Sequence, residues 1–379
     1  MKIINLEDLE TPCLVLDKKL LERNCLKVRN RCLELKTTLR PHVKTSKSVQ
    51  ITRLALDKKI GPITVSTLQE AEYFASSGFK DILYAVGIVP NKLSRLANIQ
   101  QKFNCNVRMI LDSVQLANNV IDYSNLNNTN FEILIEIDSG EGRGGLRPND
   151  KLIQEISNTL YNCSRTKLMG VLTHAGHSYA SNDVSEISSI ANKERGDALE
   201  AVKNLLKINQ PCPIVSVGST PTMLFSSHLD DISEVRSGIY MFWDLAQASR
   251  GICKIEDIAI TVLASVVGHN YNKQRIIIDA GALALSKDIS ANKFMPEAGF
   301  GLVCDSNTGI PLSELNVSEV HQEHGTINIK DKKWFNLLPV GSLVRILPNH
   351  SCLTCAGFDR YNILENNSIN DFWPRTNGW

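Results

Sequence analysis

Two short stretches hold residue types whose spacing could do chemistry. In "RPHVKTSK", residues 40–47, Lys44 follows His42 by two positions and is flanked by the hydroxyls of Thr45 and Ser46. Most lysines are solvated charges. One drawn partly out of water has a lowered pKa and becomes an amine nucleophile that can form a Schiff base with an aldehyde. In "NHSC", residues 349–352, His350 and Cys352 also lie two apart. In an extended segment both would face one side and could share a metal ion. Two ligands are too few for a closed structural zinc site and leave positions open for a substrate.

These residues need a frame. Eight apolar, β-rich runs recur with helical stretches between them: "TLRPHV", "PITVST", "DILYAV", "VRMILD", "FEILIEID", "LMGVLTH", "PIVSVG" and "EVRSGIYMF". Several are apolar on consecutive residues, as expected of parallel strands covered on both faces. The count and the alternation predict an α/β fold, a (β/α)8 TIM-type barrel over residues 18–245. Its first helix runs from Lys18 to about Lys36, with its charges on a solvated face. Beyond Ala248 the runs "IAITVLASVVGHN", "QRIIIDAGALALS", "GTINI" and "GSLVRILP" are separated by Gly, Asn, Asp and Pro turns. They predict a mainly β C-terminal domain, residues 246–379, joined by residues 1–17, because "TPCLVLD" has no barrel partner.

Barrel enzymes gather their active sites at the C-terminal ends of the strands, with phosphate held after strands seven and eight. On that scheme strand one ends at His42 and Lys44, strand five at Asp138 and Arg143, and strand six at His174, His177 and Tyr179. Strand seven ends in "VGSTPT" and strand eight carries "SGIY". Glycines there let backbone N–H groups approach an anion, and Ser219 and Thr220 add hydroxyl donors. An aldehyde that also carries a phosphate points to pyridoxal 5'-phosphate.

Composition narrows the classes. With 41 Lys and Arg against 40 Asp and Glu, the net charge of +1 gives no general pull on nucleic acid or an anionic membrane. The expected partner is a small molecule. No apolar run approaches the roughly 20 residues that span a bilayer, and "MKIINLEDLETP" lacks signal-peptide segments, so a cytoplasmic location is expected. The 10 cysteines are irregularly spaced, which suits reduced thiols better than a disulfide framework.

Taken together, the chain resembles fold-type III pyridoxal-phosphate enzymes of the alanine-racemase-like class, in the branch of D-threonine aldolase, eukaryotic-type D-serine dehydratase and D-threo-3-hydroxyaspartate dehydratase. The likeness runs nearly end to end, through "TPCLVLD", "RPHVKTSK", "VGSTPT", "EVRSGIYMFWD", "IIIDAG", "EHG", "PNHSCLT" and "WPRTNGW". It implies that Lys44 holds the cofactor and serves as the Cα base, that Tyr179 sits near the pyridine nitrogen, and that Arg143 lies near the ring face. Gly218, Ser219, Thr220, Gly238 and Ile239 would hold the phosphate, and His350 and Cys352 a divalent metal. The thiolate favours zinc, with manganese or magnesium as alternatives. His174 joins the catalytic candidates as a proton carrier, with His177, His321 and His324 as rivals. The family's lysine motif usually has histidine where this chain has Ser46.

The resemblance implies β-elimination from a D-3-hydroxy amino acid to a 2-oxo acid and ammonia, in a homodimer with active sites shared between chains. A cysteine as second ligand resembles the dehydratases. The alternatives are retro-aldol cleavage to glycine and an aldehyde, and 3-hydroxyaspartate as substrate. Three other readings carry less weight. Gly140, Gly142 and Gly145 spell G-x-G-x-x-G, but at the fifth strand, with Pro148 close behind. "CLTC", Cys352 to Cys355, lacks a thioredoxin-like context. A non-catalytic pyridoxal-phosphate carrier would need neither the β domain nor "NHSC".

Overall fold

The computed structural model describes residues 4–379, so the first three residues of the 1–17 segment lie outside the described residues. Strand β1 (Cys13–Asp17) leads into α1 (Lys18–Glu34). Asp17 Oδ1 accepts the Leu20 N–H at 2.9 Å and so satisfies a donor of the first turn. Eight parallel strands follow: β2 (Thr38–Pro41), β3 (Ile63–Val65), β4 (Asp81–Gly87), β5 (Asn106–Leu111), β6 (Phe131–Ile137), β7 (Thr166–Thr173), β8 (Ile214–Val217) and β9 (Glu234–Ser237). Each lies on one of the eight runs expected from the sequence. Between them stand α2 (Val49–Ala55), α3 (Leu68–Ser76), α4 (Pro90–Phe103), α5 (Val114–Asn127), α6 (Leu152–Tyr161), α7 (Val184–Leu206) and the short α8 (Thr220–Phe225).

The strands pair in the order β2-β9-β8-β7-β6-β5-β4-β3. A parallel bridge between His42 and Thr64, with the Val43 N–H donating to the Thr64 carbonyl at 2.9 Å, brings the two ends of this sheet together into a nearly closed barrel. Alternation along each strand then decides what fills the ring. The first inward layer is ionic. Arg40 pairs with Glu234 at 2.7 Å and with Asp81 at 2.8 Å, Asp81 with Arg108 at 2.5 Å, and Arg108 with Glu132 at 2.8 Å. Two residues further along the same strands, Leu83, Ile110 and Leu134 join Met169 and Leu172 in an apolar layer.

Compactness divides the chain inside α1 and after β9. One unit is Lys27–Gly238 together with Thr376–Trp379; the other is the chain through Leu26 with Ile239–Arg375. The second unit holds α9 (Leu245–Ala248), β10 (Ile260–Asn270), β11 (Arg275–Ile278), α10 (Ala282–Leu285), β12 (Leu302–Asp305), β13 (Pro311–Asn316), β14 (Glu319–Val320) and β15 (Gly325–Asn328). It continues with α11 (Lys333–Leu337), β16 (Leu343–Leu347), α12 (Ser351–Cys355), β17 (Arg360–Glu365) and β18 (Ser368–Pro374). Its main sheet runs β13-β12-β16-β10-β1-β17-β18, so β1 lies between two strands that come some 250 and 350 residues later. Val15, Leu263, Leu364, Ile369 and Leu6 form a core cluster of this unit. Among the described residues no helix is long and apolar enough to cross a membrane, and the cysteines are free thiols.

The ionic layer gives a direct test. Arg40 and Glu234 are 3% and 8% exposed, so Arg40→Met would strip a buried carboxylate of its cation. The expected cost to the barrel unit is about 3–5 kcal/mol, read as a lower urea midpoint by circular dichroism. An unchanged midpoint would show that the layer contributes nothing net.

Candidate functional site

The same two-residue period that builds the lumen builds its mouth. Two positions beyond Arg40 is His42, two beyond Ser216 is Gly218, two beyond Leu172 is His174, two beyond Leu134 is Glu136, and two beyond Arg236 is Gly238. His174 Nδ1 lies 2.7 Å from the Gly218 carbonyl oxygen. A carbonyl only accepts, so Nδ1 carries the proton and Nε2 keeps its lone pair. Burial drives the His174 pKa down to about 3; the Gly218 bond opposes this, while the charges of Arg236, Lys44 and Arg143 add to the fall. His42 is held well below its usual value by burial, then by Lys44, Arg236, His174 and Arg143. Both imidazoles are therefore neutral at pH 7. Burial and the neighbouring Asp112 raise the Glu136 pKa against the pull of Arg143 and Arg236.

Hydroxyls crowd the strand ends after β8 and β9. Ser219 Oγ lies 2.8 Å from Ser178 Oγ and receives the Thr222 N–H at 3.2 Å, while Thr220 Oγ1 lies 2.6 Å from Ser237 Oγ. The Thr220 N–H donates to the Tyr179 phenol oxygen at 3.1 Å. Beneath them the buried Glu194 accepts from the Gly218 N–H at 2.9 Å and from the hydroxyls of Thr173 and Thr222, both at 2.9 Å. Gly218 has φ +143°, and a Cβ there would meet the Arg236 carbonyl oxygen at 2.2 Å; one at Gly238 would meet the His42 carbonyl oxygen at 2.4 Å. Only glycine lets these strands approach so closely. A set of hydroxyls on closely approaching glycine loops, with the cations of Lys44 and Arg143 nearby, fits a phosphate, and Lys44 supplies the amine that fits an aldehyde.

Lys44, Arg143, His174, Tyr179, Gly218, Ser219, Thr220 and Gly238 thus share one unit. One expectation needs adjusting. The Lys44 side chain is exposed rather than partly desolvated, because it sits on a turn beyond the end of β2. Tyr179 puts its hydroxyl against the Thr220 amide, on the hydroxyl-rich loop. Arg143 is exposed and pairs with Glu141 at 3.5 Å. Ile239 is buried and opens the other unit.

His350 and Cys352 lie in that other unit. The extended segment expected for them is not found: His350 is the extended cap of α12 and Cys352 lies within the helix. The pair still meets, since the cap turn brings the Cys352 side chain into hydrogen bonding with the His350 ring. His350 Nδ1 lies 3.1 Å from Asp288 Oδ2. Burial disfavours the charged ring, but hydrogen bonds to Asp288 and Cys352 outweigh it and raise the His350 pKa to about 11. The hydrogen bond from His350, against burial, holds Asp288 far below the usual carboxylate range. Ser351, between the two candidate ligands, donates its N–H to the buried Asp244 at 3.0 Å. A histidine oriented through Nδ1 by a carboxylate, beside a thiol, fits a divalent ion. Among the described residues no group of three or more ligating side chains forms.

Sequence reasoning missed Glu194, Asp288 and Asp244. Glu194 had a readable signal, a lone charge on the buried face of α7 with Ile187, Ala191, Ala198 and Ala201. Asp288 and Asp244 gave none, being 62 and 106 residues from His350.

Comparison with known proteins matches residues 16–245 to the alanine racemase N-terminal domain and residues 259–364 to a putative serine dehydratase domain. The chain is 38% identical to the D-threo-3-hydroxyaspartate dehydratase of Delftia sp. (strain HT23), covering 98% of both chains. The solved structure of that enzyme superposes with a TM-score of 0.95 over 99% of this chain and 100% of the other. A cysteine-to-alanine mutant of it, solved in a metal-free form, gives the same score at 37% identity. The D-serine dehydratase of Dictyostelium discoideum is 31% identical, again over 98% of both chains.

If Asp288 orients His350 toward a metal, Asp288→Asn should weaken zinc binding by about 10–100-fold in chelator competition, while pyridoxal phosphate uptake stays unchanged. Equal zinc affinity would remove Asp288 from the site. With both domain models matched in order and relatives similar along their full length, the chain belongs to the fold-type III pyridoxal-phosphate enzymes that join an alanine racemase N-terminal domain to a serine dehydratase domain.

Proposed function

We propose that the protein is a pyridoxal-phosphate- and divalent-metal-dependent lyase that eliminates water from a D-3-hydroxy amino acid, giving a 2-oxo acid and ammonia. The observation that carries the reading is the meeting of Lys44 with two neutral histidines and a hydroxyl-lined anion cradle at one barrel mouth. Lys44 would hold the cofactor's aldehyde carbon, with Ser219, Thr220 and the loops at Gly218 and Gly238–Ile239 at its phosphate. When bound, the cofactor supplies an electron sink for charge released at Cα.

This chain's residues do the rest. The Lys44 amine would take the Cα proton as general base, in keeping with a D-configured carbon. His174, with its Nδ1 proton committed to the Gly218 carbonyl and its ring held neutral by burial, offers Nε2 as a hydrogen-bond acceptor near Lys44. The cations of Arg143 and Arg236 favour an anionic ligand at the mouth. His350 and Cys352 would hold the metal, with zinc preferred for its thiolate affinity and with Asp288 as orienting partner. Such an ion acts as a Lewis acid that turns the β-hydroxyl into a better leaving group.

Elimination is preferred to retro-aldol cleavage because of the thiol in the metal pair and because the 38% and 31% identical relatives both bear dehydratase names. D-Serine and 3-hydroxyaspartate remain rival natural substrates, since they differ by one group at Cβ. The working form is proposed to be a cytoplasmic homodimer with active sites shared between chains; light scattering at twice the 42.1 kDa chain mass would agree, and one chain mass would refute it.

D-Threonine distinguishes the two bond cleavages in one assay. With pyridoxal phosphate and zinc, 2-oxobutanoate and ammonia are expected, and Lys44→Ala should lower the rate by about 10²–10⁴-fold. Glycine and acetaldehyde as products would make the protein an aldolase.

A further inference from the structure

The motif "RPHVKTSK" ends in a second lysine to which the proposed chemistry gives no task. Lys47 does not behave as a surface charge. Its side chain is 17% exposed and its Nζ lies 3.3 Å from Oε1 of Glu70, whose side chain is fully buried. Glu70 belongs to the start of α3: its N–H donates to Oγ1 of the cap residue Thr67 at 3.0 Å and its Oε2 accepts the N–H of Ser66, just before the cap, at 2.9 Å. A carboxylate already fixed by the helix start is a rigid anchor for whatever cation pairs with it.

The backbone of Lys47 is held from two further directions. Its N–H donates to the Val43 carbonyl at 2.7 Å, closing the turn on which Lys44 rides. Its carbonyl accepts the Thr376 N–H at 2.9 Å, from the segment Thr376–Trp379, which belongs to the barrel unit. That segment is held in turn by Arg95, which donates to the Trp379 main-chain oxygen at 2.7 Å and to Gln69 Oε1, beside Glu70 on α3, at 2.8 Å. Lys47 has φ +47°, a left-handed conformation that a long side chain adopts only where its surroundings impose it.

We propose that Lys47, clamped by Glu70 and by the Thr376 N–H, is the positioning residue that fixes the Lys44 turn for capture of the cofactor aldehyde. The inference rests on the reading of Lys44 as the cofactor lysine. Lys44 is exposed and has few constraints of its own, so its aim is set by the turn that carries it. Lys47 touches neither cofactor nor substrate in this account.

The test is stopped-flow capture of pyridoxal 5'-phosphate by cofactor-stripped full-length protein, followed by Schiff-base absorbance and by the pH midpoint of that band. Lys47→Met should slow capture on the order of 10²-fold and move the midpoint, and Lys47→Arg should restore both. Capture by Lys47→Met at the wild-type rate, or no rescue by arginine, overturns the proposal. If Lys47→Met shows no cooperative melting, Thr376→Pro decides, since it removes the donor to the Lys47 carbonyl and leaves the Lys47 side chain in place: slower capture supports the clamp and unchanged capture overturns it. Wild-type protein that forms no Schiff base would overturn the reading of Lys44 and this inference together; wild-type capture matched by the variants would overturn this inference alone.

Discussion

The barrel depends on one constraint: in a nearly closed ring of short parallel strands, every second side chain faces the lumen, where Arg40 and Glu234 are almost wholly buried. Charges placed there must neutralise one another, and a buried carboxylate or guanidinium without a partner is costly. The sequence meets the constraint by running Glu234, Arg40, Asp81, Arg108 and Glu132 as alternating signs through five strands. Barrels of this kind more often fill their lumen with branched apolar residues. Here the apolar layer comes second, and the functional residues come after it on the same register.

That register explains the character of the mouth. His42, His174 and Glu136 continue strands whose earlier inward residues are already packed, so they point into a region that is partly dry but open on one side. Desolvation there lowers the histidines and raises the carboxyl, and the cations of Arg236, Lys44 and Arg143 reinforce the effect on both rings. The ionisation state of the site follows from strand alternation more than from any single contact. The metal pair obeys a different logic, in which one distant aspartate and a backbone bond to Asp244 shape the cap residue and one residue of a five-residue helix.

Much of this was legible in the sequence, for identifiable reasons. The eight barrel strands could be read because β-rich runs alternate with helical stretches, several of them apolar on consecutive residues as in "ILIEI". The chemistry of "RPHVKTSK" and "NHSC" could be read because each group lies within a few residues. The helix at Ser351–Cys355 was not legible, since its cap is completed by Asp244 far away in the chain. Asp288 was hidden for the same reason, and nothing in "SKDIS" marks it as the partner of His350. Glu70 stood in view as the fourth residue of "TLQE", a helix-start signature, but its pairing with Lys47 exists only in three dimensions.

The place of β1 has a consequence for how the chain is made. Leu14, Val15 and Leu16 are fully buried between β10 and β17, which begin at residues 260 and 360. During synthesis these three residues leave the ribosome some 250 and 350 residues ahead of the strands they pair with. The barrel strands, each pairing mainly with its neighbour in the chain, can assemble in the meantime. The sheet that β1 completes therefore closes only after the barrel strands between β1 and its partners have been made.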